Sequence, residues 1–181
     1  MEMKPAIRNA WETDFEAIHE FVRRCPPLEV YPIHLYRIIL RHFGCLCLIA
    51  KHNEAIVGCV MGLSSQQSPG TYFLWQIGVA PDHQRQGIGH SLLAYVDQTA
   101  CNNGCNRIEA TIDPENAASE QLFHMCGFSN ISSVQNDTTS VQGRDAIEDF
   151  YGSGRHFMLY EKTLDSAKTG LPSTGKGDTT A

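Results

Sequence analysis

Between residues 71 and 113 the chain reads as strand, glycine-spaced turn, helix and strand, and no other stretch restricts the fold as tightly. Residues 71–80 are apolar and β-compatible, and Gln84-Arg85-Gln86-Gly87-Ile88-Gly89 then opens a helical pattern over residues 87–103. Ile88, Leu92, Tyr95 and Val96 share a helical face, and Asn103-Gly104 ends it. Residues 107–113 read as a strand again. A strand that re-enters a sheet after a helical crossover runs parallel to the first. The unit therefore predicts two parallel neighbours inside a sheet covered by helices.

The flanking periodicities extend this picture. Ile7-Arg8 starts a short strand. Thr13 and Glu16 form a capping box for a helix with Phe15, Ile18, Phe21 and Val22 on one face, ending near Arg24 before Cys25-Pro26-Pro27. A second helix begins near Pro32, carries Ile33, Tyr36, Leu40 and Phe43, and stops at Gly44. Residues 45–50, 55–63 and 71–80 form an antiparallel meander, in which Gly58 and Gly62 mark a close backbone approach. A helix from Glu115 or Asn116 to Met125, stopped by Gly127, precedes strands at 128–134 and 156–163. The polar stretch 135–154 reads as a loop with one helical turn at 145–151. The fold class is α/β (α+β): a mixed central sheet with helices on both faces, in one domain spanning 1–164.

Residues 165–181 hold too few apolar side chains to offset their ordering entropy, so a disordered tail is expected. Its Gly170–Lys176 run resembles a phosphate loop, but Gly177 stands where Ser or Thr is needed. A net charge of −6 argues against nucleic acid as a partner. No apolar run reaches the roughly 18 residues of a membrane helix, and the N-terminus has no signal-like apolar stretch. A cytoplasmic location is expected. Seven cysteines without a CxxC spacing suit reduced thiols, and Cys101 and Cys105 lack a second pair for a metal site.

The glycine-spaced turn carries chemistry because the first amides of a helix have no partner within it and can grip an anion. It is not a dinucleotide fingerprint, since the third glycine is missing. The pattern Val79-x-Pro81-x-x-Gln84-Arg85-x-Gly87-x-Gly89 resembles the acetyl-CoA motif of the GNAT superfamily of N-acetyltransferases. Asp113-Pro114-Glu115-Asn116, Ala118, Leu122-Phe123 and Gly127-Phe128 resemble that family's following strand–helix segment. The resemblance covers residues 7–164 and implies a GNAT fold with acetyl-CoA as cosubstrate and no metal. It implies that main-chain groups of Ile77, Gly78 and Val79 pair with the pantetheine arm. Backbone amides of Gln84, Arg85, Gln86, Gly87, Ile88, Gly89 and His90 would hold the pyrophosphate, with Asn116 near the thioester. The strands carrying Gly78 and Thr111 would splay apart. Phe123 stands where many members carry a proton-donating Tyr, so the acid is unassigned.

Cys25-Pro26-Pro27-Leu28-Glu29, Tyr36, the run Phe73-Leu74-Trp75-Gln76-Ile77-Gly78-Val79 and Phe123 resemble the diaminobutyrate acetyltransferases of ectoine synthesis. This implies a small-molecule amine acceptor, a diamino acid such as L-2,4-diaminobutyrate. Glu29 would hold an ammonium and Trp75 would pack on the aliphatic chain. His34, Tyr36, Gln76 and Thr111 complete the acceptor side, and Glu29, Trp75 and Glu109 are the candidate catalytic groups. The chain departs from that pattern with Glu29 for Asp, Tyr31-Pro32 for Asn-Ser, His34 for Tyr, and Arg155-His156 in an acidic/His region. Plain roles also suit these residues: a solvated Glu29, a core Trp75, surface histidines at 34 and 156. A peptide or protein N-acetyltransferase and a non-catalytic acyl-CoA-binding module remain alternatives. Exposed sheet edges would permit a homodimer.

Overall fold

A computed structural model describes residues 4–165 of the 181-residue chain. The expected tail, 165–181, lies outside the described residues apart from Asp165. The strands are β1 (Ala6–Asn9), β2 (Leu48–His52), β3 (Ala55–Ser64), β4 (Thr71–Val79), β5 (Arg107–Ile112), β6 (Ser129–Asn130), β7 (Thr138–Val141), β8 (Arg144–Ile147) and β9 (Met158–Thr163). The α-helices are α1 (Phe15–Arg23), α2 (Ile33–Phe43), α3 (Ile88–Asn102) and α4 (Ala117–Met125). Seven strands form one mixed sheet in the order β1-β2-β3-β4-β5-β9-β6, and β7 pairs with β8 in a separate hairpin. Only the β4–β5 pair of the large sheet is parallel, as the crossover pattern predicts.

Each face of the sheet has its own core. Ile18, Phe21 and Val22 of α1 and Tyr36, Ile39 and Leu40 of α2 bury against Cys47, Ile49, Cys59 and Met61. Leu92, Leu93, Val96 and Ala100 of α3 and Phe123 of α4 bury against Val60, Tyr72, Leu74, Ile108 and Ala110 on the opposite face. The apolar stripes turn slightly from those expected: Ile33 and Tyr95 lie at the margins, 41% and 42% exposed, while Ile39 and Leu93 point inward. Gly62 makes room for a buried polar contact, the Tyr72 hydroxyl donating to the Leu46 carbonyl at 2.6 Å. A Cβ on Gly62 would overlap that hydroxyl.

β4 contains the feature that shapes the site. Met61 of β3 pairs with Gln76 and Gly62 pairs with Leu74, so Trp75 is an extra residue with no partner on β3. This β-bulge turns Trp75 and Gln76 toward the same face, that of α1 and α2. Strict alternation predicts opposite faces for them, and the bulge overturns that expectation. At the same level the parallel ladder ends: β4 and β5 pair from Thr71↔Arg107 to Leu74↔Ala110 and then part. Beyond that point both strands run on, to Val79 and Ile112, and leave a gap between them.

Four local expectations are corrected. Thr13 makes no capping box with Glu16; Asp14 instead closes the 3₁₀ turn Glu12–Asp14 that leads into α1, its carboxylate accepting from the Trp11 amide at 2.7 Å and from Arg8 at 2.8 and 3.0 Å. Gly44 keeps a helical backbone, with φ of −56°, and leads into a 3₁₀ turn over Gly44–Leu46, so β2 begins at Leu48 rather than Cys45. The strand expected at 128–134 shortens to Ser129–Asn130 because Asn130 Oδ1 accepts from the Ser132 amide and bends the chain. Finally, 135–154 contains no helical turn. It forms the β7–β8 hairpin, reversed at Gln142 and Gly143 with φ of 51° and 77°, as two-residue hairpin turns require.

Candidate active site

The end of β4 offers main-chain groups to the gap. Ala80 donates its amide to Val57 on β3 at 2.8 Å. Hydrogen-bonding direction alternates along an antiparallel pair, so the N–H and C=O groups of Ile77 and Val79 turn away from β3, toward the gap. The Val79 carbonyl already accepts from Gln84 Nε2 and from the Cys25 thiol, each at 3.1 Å. Its N–H is the donor that faces the gap. Burial raises the Cys25 pKa, which keeps that thiol protonated as the donor of this contact.

After a 3₁₀ turn at Pro81–His83, the chain enters α3 through two left-handed residues, Arg85 with φ of 61° and Gly87 with φ of 80°. A non-glycine residue held at positive φ is uncommon and costs on the order of 1 kcal/mol. Gln86 Nε2 donates to the Asp82 carbonyl at 3.2 Å and braces the turn. Ile88, Gly89 and His90 then form the first turn of the helix, where amides lack intrahelical partners and the macrodipole favours an anion. A Cβ on Gly87 would meet nothing within 4 Å, so open space lies over the turn, whereas one on Gly89 would come within 3.0 Å of Leu122. Gly89 therefore also lets α3 pack closely on α4. Asn116, beyond the end of β5, caps α4 by accepting from the Ser119 amide at 3.0 Å, which leaves its Nδ2 as its available polar group. The exposed Arg85, the free helix start and the gap-facing groups of Ile77 and Val79 together suit a long chain ending in a pyrophosphate, as acetyl-CoA has. Among the described residues no group of three or more His, Cys, Asp or Glu could hold a metal ion.

The acceptor side is built from side chains. The Cys25–Leu28 turn, closed by Leu28 N donating to the Cys25 carbonyl at 3.0 Å, packs on β4 at Gly78. A Cβ there would come within 2.5 Å of Leu28 Cδ1. Next along the chain, the Glu29 carbonyl accepts from Gln76 Nε2 at 2.7 Å, and Gln76 Oε1 accepts from Tyr36 at 3.4 Å. The Tyr31 amide donates to the same Tyr36 hydroxyl at 3.4 Å. These links hold residues 29–31 over the bulge. The Tyr31 ring packs on Trp75, with centroids 4.8 Å apart, and the Tyr36 ring lies 6.2 Å from Trp75.

Glu29 Oε2 accepts from the Tyr31 hydroxyl at 2.9 Å and from Arg155 at 3.0 Å. Those two partners hold the Glu29 carboxyl below its ordinary pKa. Partial burial and the Glu29 carboxylate push the Tyr31 phenol up to about 12. The Arg155 guanidinium lies 5.7 Å from the ring centroids of both Tyr151 and Phe157. Tyr151 in turn shares a hydrogen bond with Thr111 at 2.9 Å, one residue past the last β4–β5 pair. Burial raises the Tyr151 phenol above its ordinary value, against opposing pulls from Thr111 and Arg155.

Glu29, Tyr36, Trp75, Gln76 and Thr111 are thus brought to one place. His34 is exposed on the first turn of α2. Glu109 sits opposite Phe73, where β4 and β5 are still paired, and lies 3.5 Å from Arg107. That position is below the split, so the geometry does not bring Glu109 to the gap. Phe123 is 2% exposed, packed edge-on against Phe128 and Tyr160. Tyr31, Tyr151 and Arg155 are the members of the cluster that sequence reasoning did not assign. The trace available for them was the aromatic and basic run Phe150-Tyr151 to Arg155-His156-Phe157 within an otherwise polar stretch.

A splayed parallel pair, a β-bulge at the split and an anion-ready helix start opposite it define an acyltransferase-type architecture. The chain belongs to the acetyltransferase (GNAT) family, which matches residues 6–128. It is similar to the L-2,4-diaminobutyric acid acetyltransferase of Chromohalobacter salexigens, 34% identical over 66% of this chain and 60% of that protein. The enzyme of the same name from Vibrio cholerae is 26% identical over 82% of this chain and 91% of its own. The chain spans about 60% of the length of the first curated relatives it matches. Among solved structures it resembles the diaminobutyrate acetyltransferase EctA of Paenibacillus lautus, in complex with its substrate L-2,4-diaminobutyric acid and coenzyme A. That match has a TM-score of 0.67 and 26% identity, covering 87% of this chain and 93% of that one. Ard1 of Thermoplasma volcanium shares the fold, with a TM-score of 0.72 and 13% identity over 90% of this chain and 99% of its own.

Proposed function

We propose that this protein is an acetyl-CoA-dependent N-acetyltransferase that acetylates an amine of a small diamino acid, L-2,4-diaminobutyrate first among them. The observation that carries this reading is the joining of Glu29, Tyr31, Trp75 and Arg155 beside the β4–β5 gap. Acetyl-CoA supplies the acyl group as a thioester. On the protein side, the Arg85–His90 turn binds the anionic end and the Ile77 and Val79 main chain aligns the arm. Asn116 offers its amide from the far side of the gap. The Val79 N–H faces the gap where an acyl oxygen gains negative charge during transfer.

An alkylammonium at pH 7 must lose a proton before it can attack, at a cost of about 4–5 kcal/mol. Glu29 and Trp75 orient the acceptor, and the Thr111–Tyr151 hydroxyl pair provides a proton path at the mouth of the gap. With Phe123 apolar, Tyr151 is the phenol best placed to return a proton to the leaving thiolate. The Glu29–Arg155 bridge spans the acceptor side and favours a small acceptor over a peptide, which would need an open groove.

All seven cysteines are unpaired, and no helix among the described residues is long and apolar enough to cross a membrane. A cytoplasmic location belongs to this proposal. The sheet-edge strands are β1 and β6, of four and two residues, and a homodimer belongs to this proposal as well.

Release of CoA thiol, measured with acetyl-CoA and L-2,4-diaminobutyrate, tests the reading. Turnover is expected, and Glu29→Ala should lower kcat/KM by about 10- to 100-fold, the worth of a charge-assisted contact. An enzyme that binds acetyl-CoA yet turns over none of a panel of diamino acids and polyamines would refute it. Acetylation confined to peptides would replace it with the peptide-acetyltransferase reading.

A further inference from the structure

The ion pair between Arg155 and Glu29 joins residues 126 positions apart, at 3.0 Å. Both side chains are about half exposed, 46% and 50%. Pairs so exposed contribute little to stability, so this one does not hold the fold together. The backbone on each side is fixed by other contacts. Gln76 holds the Glu29 carbonyl at 2.7 Å. Across the site, Gly154 donates to Asp149 Oδ1 at 2.7 Å and Arg155 N to the Gly152 carbonyl at 2.9 Å. The rings of Tyr151 and Phe157, each 5.7 Å from the guanidinium, flank it, and Glu29 accepts from its Nη2.

A fixed cation and a fixed anion in contact, beside an acyl-transfer gap, mirror a ligand that carries both charges on one carbon. An α-amino acid head group is such a ligand. Its carboxylate can take the place of Glu29 on Arg155 while its ammonium takes the place of Arg155 on Glu29. Each protein charge then exchanges one partner for another of the same sign, and no charge is left unpaired. The Tyr31 hydroxyl, 2.9 Å from Glu29, keeps the carboxylate oriented during the exchange. Trp75, packed under Tyr31, offers an apolar surface to the methylene chain.

We propose that Arg155 is a specificity residue that binds the α-carboxylate of the acceptor, so that the Glu29–Arg155 pair selects a diamino acid over the diamine lacking that carboxylate. This rests on the reading under Proposed function. A bare diamine can engage Glu29 only, and leaves Arg155 without an anion.

The test compares L-2,4-diaminobutyrate with 1,3-diaminopropane, the same skeleton without the carboxylate, in wild type, Arg155→Met and Arg155→Lys. The readout is the ratio of kcat/KM for the diamino acid to that for the diamine. A lost charge-assisted bidentate contact corresponds to a fall of about 10- to 100-fold in that ratio for Arg155→Met, carried by KM for the diamino acid. Arg155→Lys, which keeps the charge but not the fork, should fall between. A ratio that moves less than about threefold in Arg155→Met, or kcat/KM values that fall equally for both acceptors, overturns the proposal. If no amine is turned over even by wild type, the functional reading fails separately. Calorimetric binding of the same two compounds then decides the clamp: preference for diaminobutyrate lost in Arg155→Met supports it, and equal binding to wild type sinks it.

Discussion

The two sides of the gap between β4 and β5 are built in different ways. In the proposed reading the cofactor side draws mainly on main-chain groups of one segment, Ile77 to His90, joined by the side chains of Arg85 and Asn116, and its shape follows from a strand end, two left-handed residues and a helix start. The acceptor side uses side chains from four separate places: residues 25–36, the bulge at Trp75 and Gln76, Thr111, and residues 151–155. Main-chain recognition tolerates changes of side chain, so it can persist across many relatives. Side-chain recognition changes with every substitution. The departures from the diaminobutyrate pattern fall on this second side: Glu29, Tyr31-Pro32, His34 and Arg155.

The two sides meet where Leu28 fills the space over Gly78, and that junction is where the contrast is most easily broken. Gly78→Ala places a Cβ within 2.5 Å of Leu28 Cδ1, the end of a side chain that can turn aside, and should lower stability by about 1 kcal/mol, the low end of overpacking costs. Thermal unfolding measures it. Adding Leu28→Ala should return part of that loss, giving a clear coupling energy between the sites. Strict additivity would mean that the two sides are not joined there.

A smaller effect sharpens the contrast. Arg85→Ala should weaken acetyl-CoA binding by about 5- to 10-fold, and more at low salt than at high salt, because an exposed charge is screened. The KM for the amine should stay within about twofold. An equal change in both would place Arg85 in a shared site instead.

The smallest effect concerns the support of the acceptor side. Arg8 and Asp14 tie β1 to the start of α1, which carries the Cys25–Leu28 turn. Burial raises the Asp14 pKa, but the Arg8 and Trp11 hydrogen bonds and the Arg8 charge outweigh it, so the net shift is downward. A carboxyl depressed in the folded state contributes stability above its unfolded pKa and loses that contribution as pH falls through the folded value. Asp14→Asn should therefore cost about 1 kcal/mol near pH 7. The gap between variant and wild type should close as pH falls below the ordinary carboxylate range near 4. Denaturant unfolding across pH measures it, and a gap that stays constant would show that the Asp14 charge contributes nothing to stability.

The same division governs what the sequence made legible. The β4–α3–β5 unit could be read because both its periodicities, and the glycine and arginine at its turn, lie within one window. The acceptor residues Glu29, Tyr36, Trp75, Gln76 and Thr111 came by resemblance, and the structure gathers them. Tyr31, Tyr151 and Arg155 were not assigned because their meaning depends on a contact across 126 residues, which no local pattern reports. The hairpin within 135–154 was missed because Gln142-Gly143 is a weaker turn signal than Asn-Gly. Glu109 shares a strand face with Thr111, but it lies where β4 and β5 are still paired, since the strands part only after Ala110.

The extra residue at Trp75 acts on β4 as a change of phase acts on a wave. Before it, Tyr72 and Leu74 face the α3 core; after it, Ile77 and Val79 do. Even-numbered positions should demand apolar residues upstream and odd-numbered ones downstream, so one strand obeys two substitution rules. Deleting that one residue would bring the strand back into a single rhythm. Ile77 and Val79 would stay on the α3 side and Gly78 against Leu28, so the bulge adds one ring to the face of α1 and α2 without turning the rest of the strand.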